Sequence, residues 1–320
     1  MRPSLSELFL AHAGRVSDKW EQYLAIYDRE LARFRDAAGP VRLLEIGVQN
    51  GGSLEVWSKY LPPGSSVVGM DIDPRCGALA FTGDITVLIG DAADPAALDR
   101  LLGDRAFDII IDDGSHVSRD IIATFEACFP RLAPGGLFLI EDLHASYWAS
   151  HGGGFRAEGA AVEWLKGLVD ALHADHLEPS VDGATRGALA ALNREVARVA
   201  FYDSVAVIEK PPEPKTTPYR RILSGTVADV VGGAAVLPAA LAAQAGSLVL
   251  AAATAGAVSA AGVVGTQDAA RAAAEAARDQ AQAEAKAARA RIAAMEASTS
   301  WRVTGPLRRF ATMIRGKGET

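Results

Sequence analysis

The sequence predicts an α/β fold: a doubly wound, mostly parallel seven-stranded sheet, with a C-terminal antiparallel hairpin and a helical C-terminal tail. Short apolar runs alternate with helix-like stretches between about residue 41 and residue 140, and this alternation is typical of parallel strands joined by helical crossovers. Acidic residues follow several of the apolar runs. Strand ends of this kind form the ligand-binding edge of an open parallel sheet.

Residues 1–38 are predicted to be an N-terminal helical segment. Trp20, Tyr23, Leu24, Tyr27 and Leu31 recur at helical spacing, which indicates a helix with one buried face. A proline at position 40 then ends the pattern.

Seven apolar runs predict the strands of the sheet, and the segments between the first five predict helices. The predicted strands are residues 41–48, 66–72, 85–89, 107–111, 137–140, 196–202 and 205–209. The predicted helices begin at residue 54, at residue 95 and at residue 121. Only Asp203 and Ser204 join the last two strands, so we expect an antiparallel hairpin at the edge of the sheet.

The predicted domain that holds this sheet covers residues 39–215. Residues 143–195 interrupt it as a long insertion, and we expect such an insertion to act as a lid over a site. The composition then changes to an Ala/Gly-rich linker at 216–267, uncharged from 230 to 267, an Ala-rich helix or weak coiled coil at 268–298, and a basic tail at 299–320.

Composition excludes several classes of protein. A net charge of −7 argues against nucleic-acid binding, which needs a basic surface. The two cysteines have no metal-binding spacing and predict no disulfide framework. No signal-peptide pattern is recognised at the N-terminus, so we expect a cytoplasmic protein. Residues 230–320 leave two readings open, a linker with a helical tail or a tail that associates with a membrane or with a biosynthetic assembly.

An acidic cluster with one histidine is the strongest functional signal. Asp112, Asp113 and His116 follow one predicted strand, and Glu141 and Asp142 follow the next. The ends of neighbouring parallel strands meet at one crevice. Four carboxylates in one crevice repel each other unless a cation or a proton offsets their charge. The pattern therefore predicts a divalent-metal site with a histidine that can move protons.

A glycine turn after the first strand is the second signal. Gly47 and Ser53 bracket a turn that leads into a helix, where backbone N–H groups are free to bind a ligand. Asp71 and Asp91 end the next two strands, and Asp71 is placed to accept hydrogen bonds from ribose hydroxyls. Each acid alone could equally be a turn or cap residue.

The ordered set of motifs resembles the class I S-adenosylmethionine-dependent methyltransferases, and more narrowly the Mg²⁺-dependent sugar O-methyltransferases of macrolide pathways, of the mycinamicin and macrocin type. The resemblance covers about residues 15–212. It rests on these motifs: Leu44-Glu45-Ile46-Gly47, Gly51-Gly52-Ser53-Leu54, Gly69-Met70-Asp71-Ile72, Gly90-Asp91, Asp112-Asp113-Gly114-Ser115-His116, Pro134-Gly135-Gly136 and Ile140-Glu141-Asp142.

The resemblance implies roles for the residues that match these motifs. The glycine turn, with Glu45, Gly47 and Ser53, would hold the methionine part of S-adenosylmethionine. Asp71 would hold the ribose, Asp91 would lie near the adenine, and Asp112 would belong to the cofactor side. The resemblance also assigns Asp113, Glu141 and Asp142 to Mg²⁺, a cation that prefers oxygen ligands.

His116 is the candidate general base, because an imidazole titrates near neutral pH. The predicted acceptor is a small molecule or glycan: a sugar hydroxyl of a glycoside or of a surface-polysaccharide precursor. Two alternatives remain open, a catechol or small-phenol O-methyltransferase and an inactive methyltransferase-like scaffold with a helical interaction tail. The sequence does not decide whether the protein is a homo-oligomer.

Overall fold

The computed structural model describes residues 2–220, 222–223 and 249–250. The chain divides into two units, Met1–Tyr219 and Arg220–Thr320. In the second unit, two short strands, Ile222–Leu223 and Val249–Leu250, pair in parallel. The predictions for the linker, the Ala-rich helix and the basic tail otherwise fall almost entirely outside the described residues and stay predictions.

The first unit contains a seven-stranded sheet, as predicted. Its strands are β1 (Arg42–Ile46), β2 (Ser66–Asp71), β3 (Ile85–Ile89), β4 (Phe107–Asp112), β5 (Leu132–Ile140), β6 (Arg198–Phe201) and β7 (Ala206–Glu209). They lie in the order β3-β2-β1-β4-β5-β7-β6. The first five strands are parallel, and β7 is antiparallel to both β5 and β6.

Helices cover both faces of the sheet and agree with most of the helical predictions. They are α1 (Leu5–Leu10), α2 (Glu21–Arg35), α3 (Gly52–Tyr60), α4 (Pro95–Leu102), α5 (Ser118–Cys128), α6 (Ala161–Leu172) and α7 (Gly183–Glu195). The N-terminal segment is two helices and not one. The first ends at Leu10, and the chain from residue 11 to residue 20 is not helical.

Two apolar layers sandwich the sheet, because side chains alternate between its faces along each strand. In β4, Ile110 packs in the layer with Phe125 of α5. Ile109 and Ile111 pack in the other layer, with Tyr27 of α2. Each strand at the centre of the sheet is therefore buried on both sides, which is why the sequence shows continuous apolar runs there.

The insertion at 143–195 contributes to the core of this unit. Its helix α6 buries Ala161, Leu165 and Leu168 in the same layer as Phe125 and Phe138. This part of the insertion is therefore structural, and the prediction that the segment acts as a lid remains untested. Among the described helices, none combines the length and apolar character that crossing a membrane requires.

The register of the sheet brings the acidic strand ends together. Ile46 at the end of β1 pairs with Asp112 at the end of β4, which in turn pairs with Ile140 at the end of β5. The loops that follow these three strands therefore leave the sheet side by side. This is where the site lies.

Candidate functional site

A cleft of about 940 Å³ opens at the carboxyl ends of the strands. Its volume is in the range of pockets that hold small-molecule ligands. Most of the residues predicted from the sequence line it: Gly47, Ser53, Asp71, Asp91, Asp112, Asp113, His116 and Asp142. Glu45 and Glu141 are buried and are not among its lining residues.

The glycine turn needs its glycine at position 47. Gly47 has φ +92°, and a Cβ atom there would lie 2.0 Å from the carbonyl oxygen of Asp113. Both facts exclude a side chain. The β1 turn and the loop after β4 can approach this closely only because residue 47 is glycine.

Glu45 is buried next to the glycine turn and stabilises it through hydrogen bonds. Its carboxylate accepts hydrogen bonds from Ser53 Oγ at 2.7 Å and from Trp57 Nε1 at 3.1 Å. Complete burial raises the pKa of Glu45. The carboxylate thus ties β1 to the first turns of α3. Direct contact of Glu45 or Ser53 with a cofactor stays a prediction.

Asp71 fixes the other side of the turn. Its Oδ2 accepts hydrogen bonds from the backbone N–H groups of Val48 at 2.8 Å and Gln49 at 3.1 Å, and its Oδ1 accepts one from Asp73 at 2.8 Å. Burial acts to raise the pKa of Asp71, but these backbone donors lower it below the ordinary value. Asp91 makes a local bond, accepting from Ala93 N at 2.8 Å. Both acids therefore order turns that line the cleft.

Asp112 is a buried carboxyl group with one unsatisfied oxygen. Its side chain is 4% exposed. Oδ1 accepts a bond of 3.3 Å from Gly114 N, whereas Oδ2 has no hydrogen-bond partner. Burial, with smaller contributions from Asp113 and Asp120, raises the pKa of Asp112 to about 7.

Asp113, His116 and Asp142 form the part of the acidic cluster that could hold a cation. One ligand atom from each lies within 4.8 Å of the others. His116 Nε2 is 3.9 Å from Asp113 Oδ1 and 3.6 Å from Asp142 Oδ2. Carboxylate oxygens suit Mg²⁺, so Asp113 and Asp142 fit the predicted metal, whereas Glu141, the third predicted ligand, is not a member of this group.

Glu141 lies behind this cluster and is 2% exposed. Its Oε1 accepts hydrogen bonds from Lys19 Nζ at 2.7 Å and from the hydroxyl of Tyr27. Lys19 Nζ also donates to Asp113 Oδ2 at 2.5 Å. Burial opposes the charge of Lys19, but the surrounding carboxylates hold its pKa well above the ordinary value.

Sequence reasoning missed the roles of Lys19, Tyr23 and Tyr27. Tyr23 donates to Asp142 Oδ1 at 2.6 Å, and its hydroxyl also accepts a bond of 3.1 Å from Asp142 N. The two tyrosines were attributed to the apolar face of the N-terminal helix, and both are indeed buried. A polar stripe at every fourth residue was the available signal, because such residues share one helix face.

Left-handed backbone conformations concentrate at the site. Five non-glycine residues of the described chain have positive φ, and His116 (+57°), Asp142 (+53°) and Gln49 (+49°) belong to the cleft or the turn beside it. A fourth, Ser204, contacts His144, with His144 Nδ1 and Ser204 Oγ 2.5 Å apart. Such conformations cost free energy and persist where surrounding contacts hold them, most often at functional sites.

An exposed aromatic row borders the acidic cluster. The ring of His144 lies edge-on to Trp20 at 5.7 Å and to Trp148 at 4.9 Å, and His151 continues the row at 5.4 Å from Trp148. Trp20 is 54% and Trp148 is 49% exposed. Half-exposed rings in a row offer an apolar surface for an acceptor.

Comparisons with known proteins find similarity to methyltransferases. Residues 44–143 match a family described as a methyltransferase domain. The chain is 38% identical over 228 residues to the 8-demethyl-8-alpha-L-rhamnosyl tetracenomycin-C 2'-O-methyltransferase of Streptomyces olivaceus, covering 65% of this chain and 55% of that protein. It is 34% identical over 223 residues to the demethylmacrocin O-methyltransferase of Streptomyces fradiae, covering 65% and 53%.

A solved structure is similar as well. The MycE methyltransferase from the mycinamycin biosynthetic pathway, in complex with Mg and SAH, matches with a TM-score of 0.56 and 32% identity. The match covers 66% of this chain and 55% of that chain. The chain thus spans about half the length of the curated relatives it matches.

The strand order, the glycine turn over a ligand-sized cleft and these similarities agree with one another. Residues 44–143 therefore match a methyltransferase domain, and the chain resembles the macrolide-sugar O-methyltransferases of the mycinamicin and macrocin type.

Proposed function

We propose that the protein is an S-adenosylmethionine- and Mg²⁺-dependent O-methyltransferase that methylates a sugar hydroxyl of a glycoside. The observation that carries the proposal is the position of His116, beside two carboxylates that can share a cation and on the wall of the cleft that the glycine turn borders. A histidine, a pair of carboxylates and a cleft of ligand size lie together there, which supports the proposal.

The residues divide into a cofactor side and an acceptor side. Gly47, Asp71 and Asp91 lie on the cofactor side, where the turn and two strand ends line the cleft. Asp113 and Asp142 would hold Mg²⁺ together with Glu141, whose Oε2 accepts no hydrogen bond from the described residues. A bound Mg²⁺ would orient the acceptor hydroxyl and lower its pKa.

His116 is the proposed general base. Its Nε2 takes the proton of the acceptor hydroxyl while the oxygen attacks the methyl group of S-adenosylmethionine. The new O–C bond forms as the C–S bond breaks, which leaves S-adenosylhomocysteine and a methyl ether. Asp113 Oδ1 and Asp142 Oδ2 lie 3.9 Å and 3.6 Å from this nitrogen.

The aromatic row supports a glycoside as the acceptor. Trp20 directly follows Lys19 in the chain, and His144, whose ring contacts both Trp20 and Trp148, follows Asp142 by two residues. Rings of this kind stack on the apolar face of a sugar or on an aromatic aglycone. A rhamnosyl tetracenomycin, named for one relative, is an acceptor of this chemistry.

A methyl-transfer screen tests this function. The full chain is incubated with labelled S-adenosylmethionine and three acceptor classes: polyketide glycosides, a surface-polysaccharide sugar precursor and a catechol. We expect label transfer to a glycoside, and loss of transfer in excess chelator that added Mg²⁺ restores. Full activity in chelator would remove the metal role, and transfer to the catechol alone would replace the sugar by a phenol.

A further inference from the structure

We propose that Lys19, Tyr23 and Tyr27 are positioning residues for the cation. Together they bind one oxygen of each of the three acidic residues and leave the other oxygen free for the metal. The inference rests on the proposed metal-dependent function and adds three residues to it. They lie outside the stretch 44–143 that matches the methyltransferase family.

In each of the three carboxylates, the hydrogen bonds from Lys19, Tyr23 and Tyr27 reach only one of the two oxygens. Lys19 binds Asp113 through Oδ2, Lys19 and Tyr27 both bind Glu141 through Oε1, and Tyr23 binds Asp142 through Oδ1. These bonds leave Asp113 Oδ1, Glu141 Oε2 and Asp142 Oδ2.

Two of the three free oxygens belong to the group of side chains that could hold a cation. Asp113 Oδ1 and Asp142 Oδ2 are the two carboxylate oxygens that approach His116 Nε2, at 3.9 Å and 3.6 Å. The bound oxygens of these two residues point to Lys19 and Tyr23 on the other side. Each carboxylate is thereby oriented to offer one oxygen, as second-shell donors orient metal ligands in known sites.

Carboxylates outnumber cations in the acidic cluster. The ammonium of Lys19 lies 2.5 Å from Asp113 Oδ2, 2.7 Å from Glu141 Oε1 and 3.9 Å from Glu45 Oε1. When these groups and Asp142 are ionised, one ammonium offsets only part of their charge, and a divalent cation can offset the rest. Lys19 is suited to this role because its side chain is only 4% exposed, so its charge is little screened by solvent.

The spacing explains how one segment reaches all three acids. Tyr23 and Tyr27 are four residues apart in α2 and lie along one helix face, and Lys19 lies in the non-helical segment just before that helix. That face packs on the loops after β4 and β5. Tyr23 additionally accepts a bond from Asp142 N, so it holds the left-handed backbone of that residue as well as its side chain.

Calorimetric titration of the full chain with Mn²⁺ and with Mg²⁺, in the absence of cofactor and acceptor, tests the inference. Tyr23→Phe and Tyr27→Phe each remove one hydroxyl and keep the ring. We expect the dissociation constant of the cation to rise about tenfold or more in each, with binding of S-adenosylhomocysteine unchanged within twofold.

Tyr202→Phe is the matched control. Its hydroxyl also donates to a carboxylate of α2, Glu30, but away from the cleft, so cation binding should remain at the parent value. Cation affinities in Tyr23→Phe and Tyr27→Phe within twofold of the parent would overturn the inference even if methyl transfer to a glycoside is found. No cation binding by the parent protein would overturn both this inference and the metal role. Far-ultraviolet circular dichroism checks folding, and if one tyrosine variant fails to fold, the cation affinity of the other decides the inference.

Discussion

Replacing Asp112 by Asn should make the protein more stable at alkaline pH and change the dependence of its stability on pH. The carboxyl group is buried, and its Oδ2 has no partner. A buried carboxylate of this kind is costly when ionised. Asn has nearly the same shape, keeps an oxygen for the bond from Gly114 N and carries no charge.

The free-energy cost of ionising Asp112 in the folded protein follows from the shift of its pKa. The pKa of Asp112 rises from 3.8 to about 7 on burial. Because the folded-state pKa is the higher one, the folded protein binds more protons than the unfolded chain between these values, and stability falls as the pH rises through that window. The full cost is present above the folded-state pKa. A shift of this size corresponds to roughly 4 kcal/mol at about pH 8 and roughly 2 kcal/mol at about pH 5.

Urea unfolding of the parent and of Asp112→Asn, at both pH values and in the presence of chelator, measures the effect. We expect the stability difference in favour of Asn to be larger at about pH 8 than at about pH 5 by roughly 2 to 3 kcal/mol. The change in the difference with pH isolates the charge from any effect of the amide group itself. A difference that does not vary with pH would refute the reasoning.

Three further substitutions test the site. His116→Gln should lower kcat by roughly 10²- to 10⁴-fold while binding of S-adenosylhomocysteine is retained, and near-normal turnover would exclude His116 as the base. Asp71→Asn leaves one side-chain oxygen to accept the backbone hydrogen bonds that two carboxylate oxygens accept now. Calorimetry should therefore give roughly tenfold weaker binding of S-adenosylhomocysteine. The exposed Asp84→Asn is the control, and its binding should stay at the parent value. Trp148→Ala should raise the KM for a glycoside acceptor about fivefold at constant kcat, equivalent to roughly 1 kcal/mol of acceptor binding. Phe155→Ala is the control, and an equal rise of KM in that variant would contradict a specific contact between Trp148 and the acceptor.

The strands of the sheet were predictable because burial on both faces leaves a direct signal. The run at 85–89 coincides with β3 as observed. The prediction for β5 began at residue 137, whereas the strand begins at Leu132. The turn-like Pro134-Gly135-Gly136 lies inside the strand, where the ladder with β4 shifts its register. The local preference of these residues therefore appears as an irregularity within the strand, where Gly135 has φ +75°.

The residues of the candidate site that follow strand ends were predictable from the sequence, and the residues that α2 supplies were less so. The acids after β4 and β5 follow from sheet geometry alone. The roles of Tyr23 and Tyr27 depend on which buried group each hydroxyl meets, and apolar periodicity describes only the rings. The left-handed conformations of His116 and Asp142 gave no sequence signal, since neither residue is glycine.

The bonds from the N-terminal segment to the acidic cluster have a consequence for the kinetics of folding. They join residues 94 to 122 positions apart in the chain, so the cluster is complete only after the sheet has formed and α2 has docked on it. Contacts this distant in sequence form late. A cation that binds the completed cluster therefore stabilises the native state more than the folding transition state, and it acts mainly by slowing unfolding.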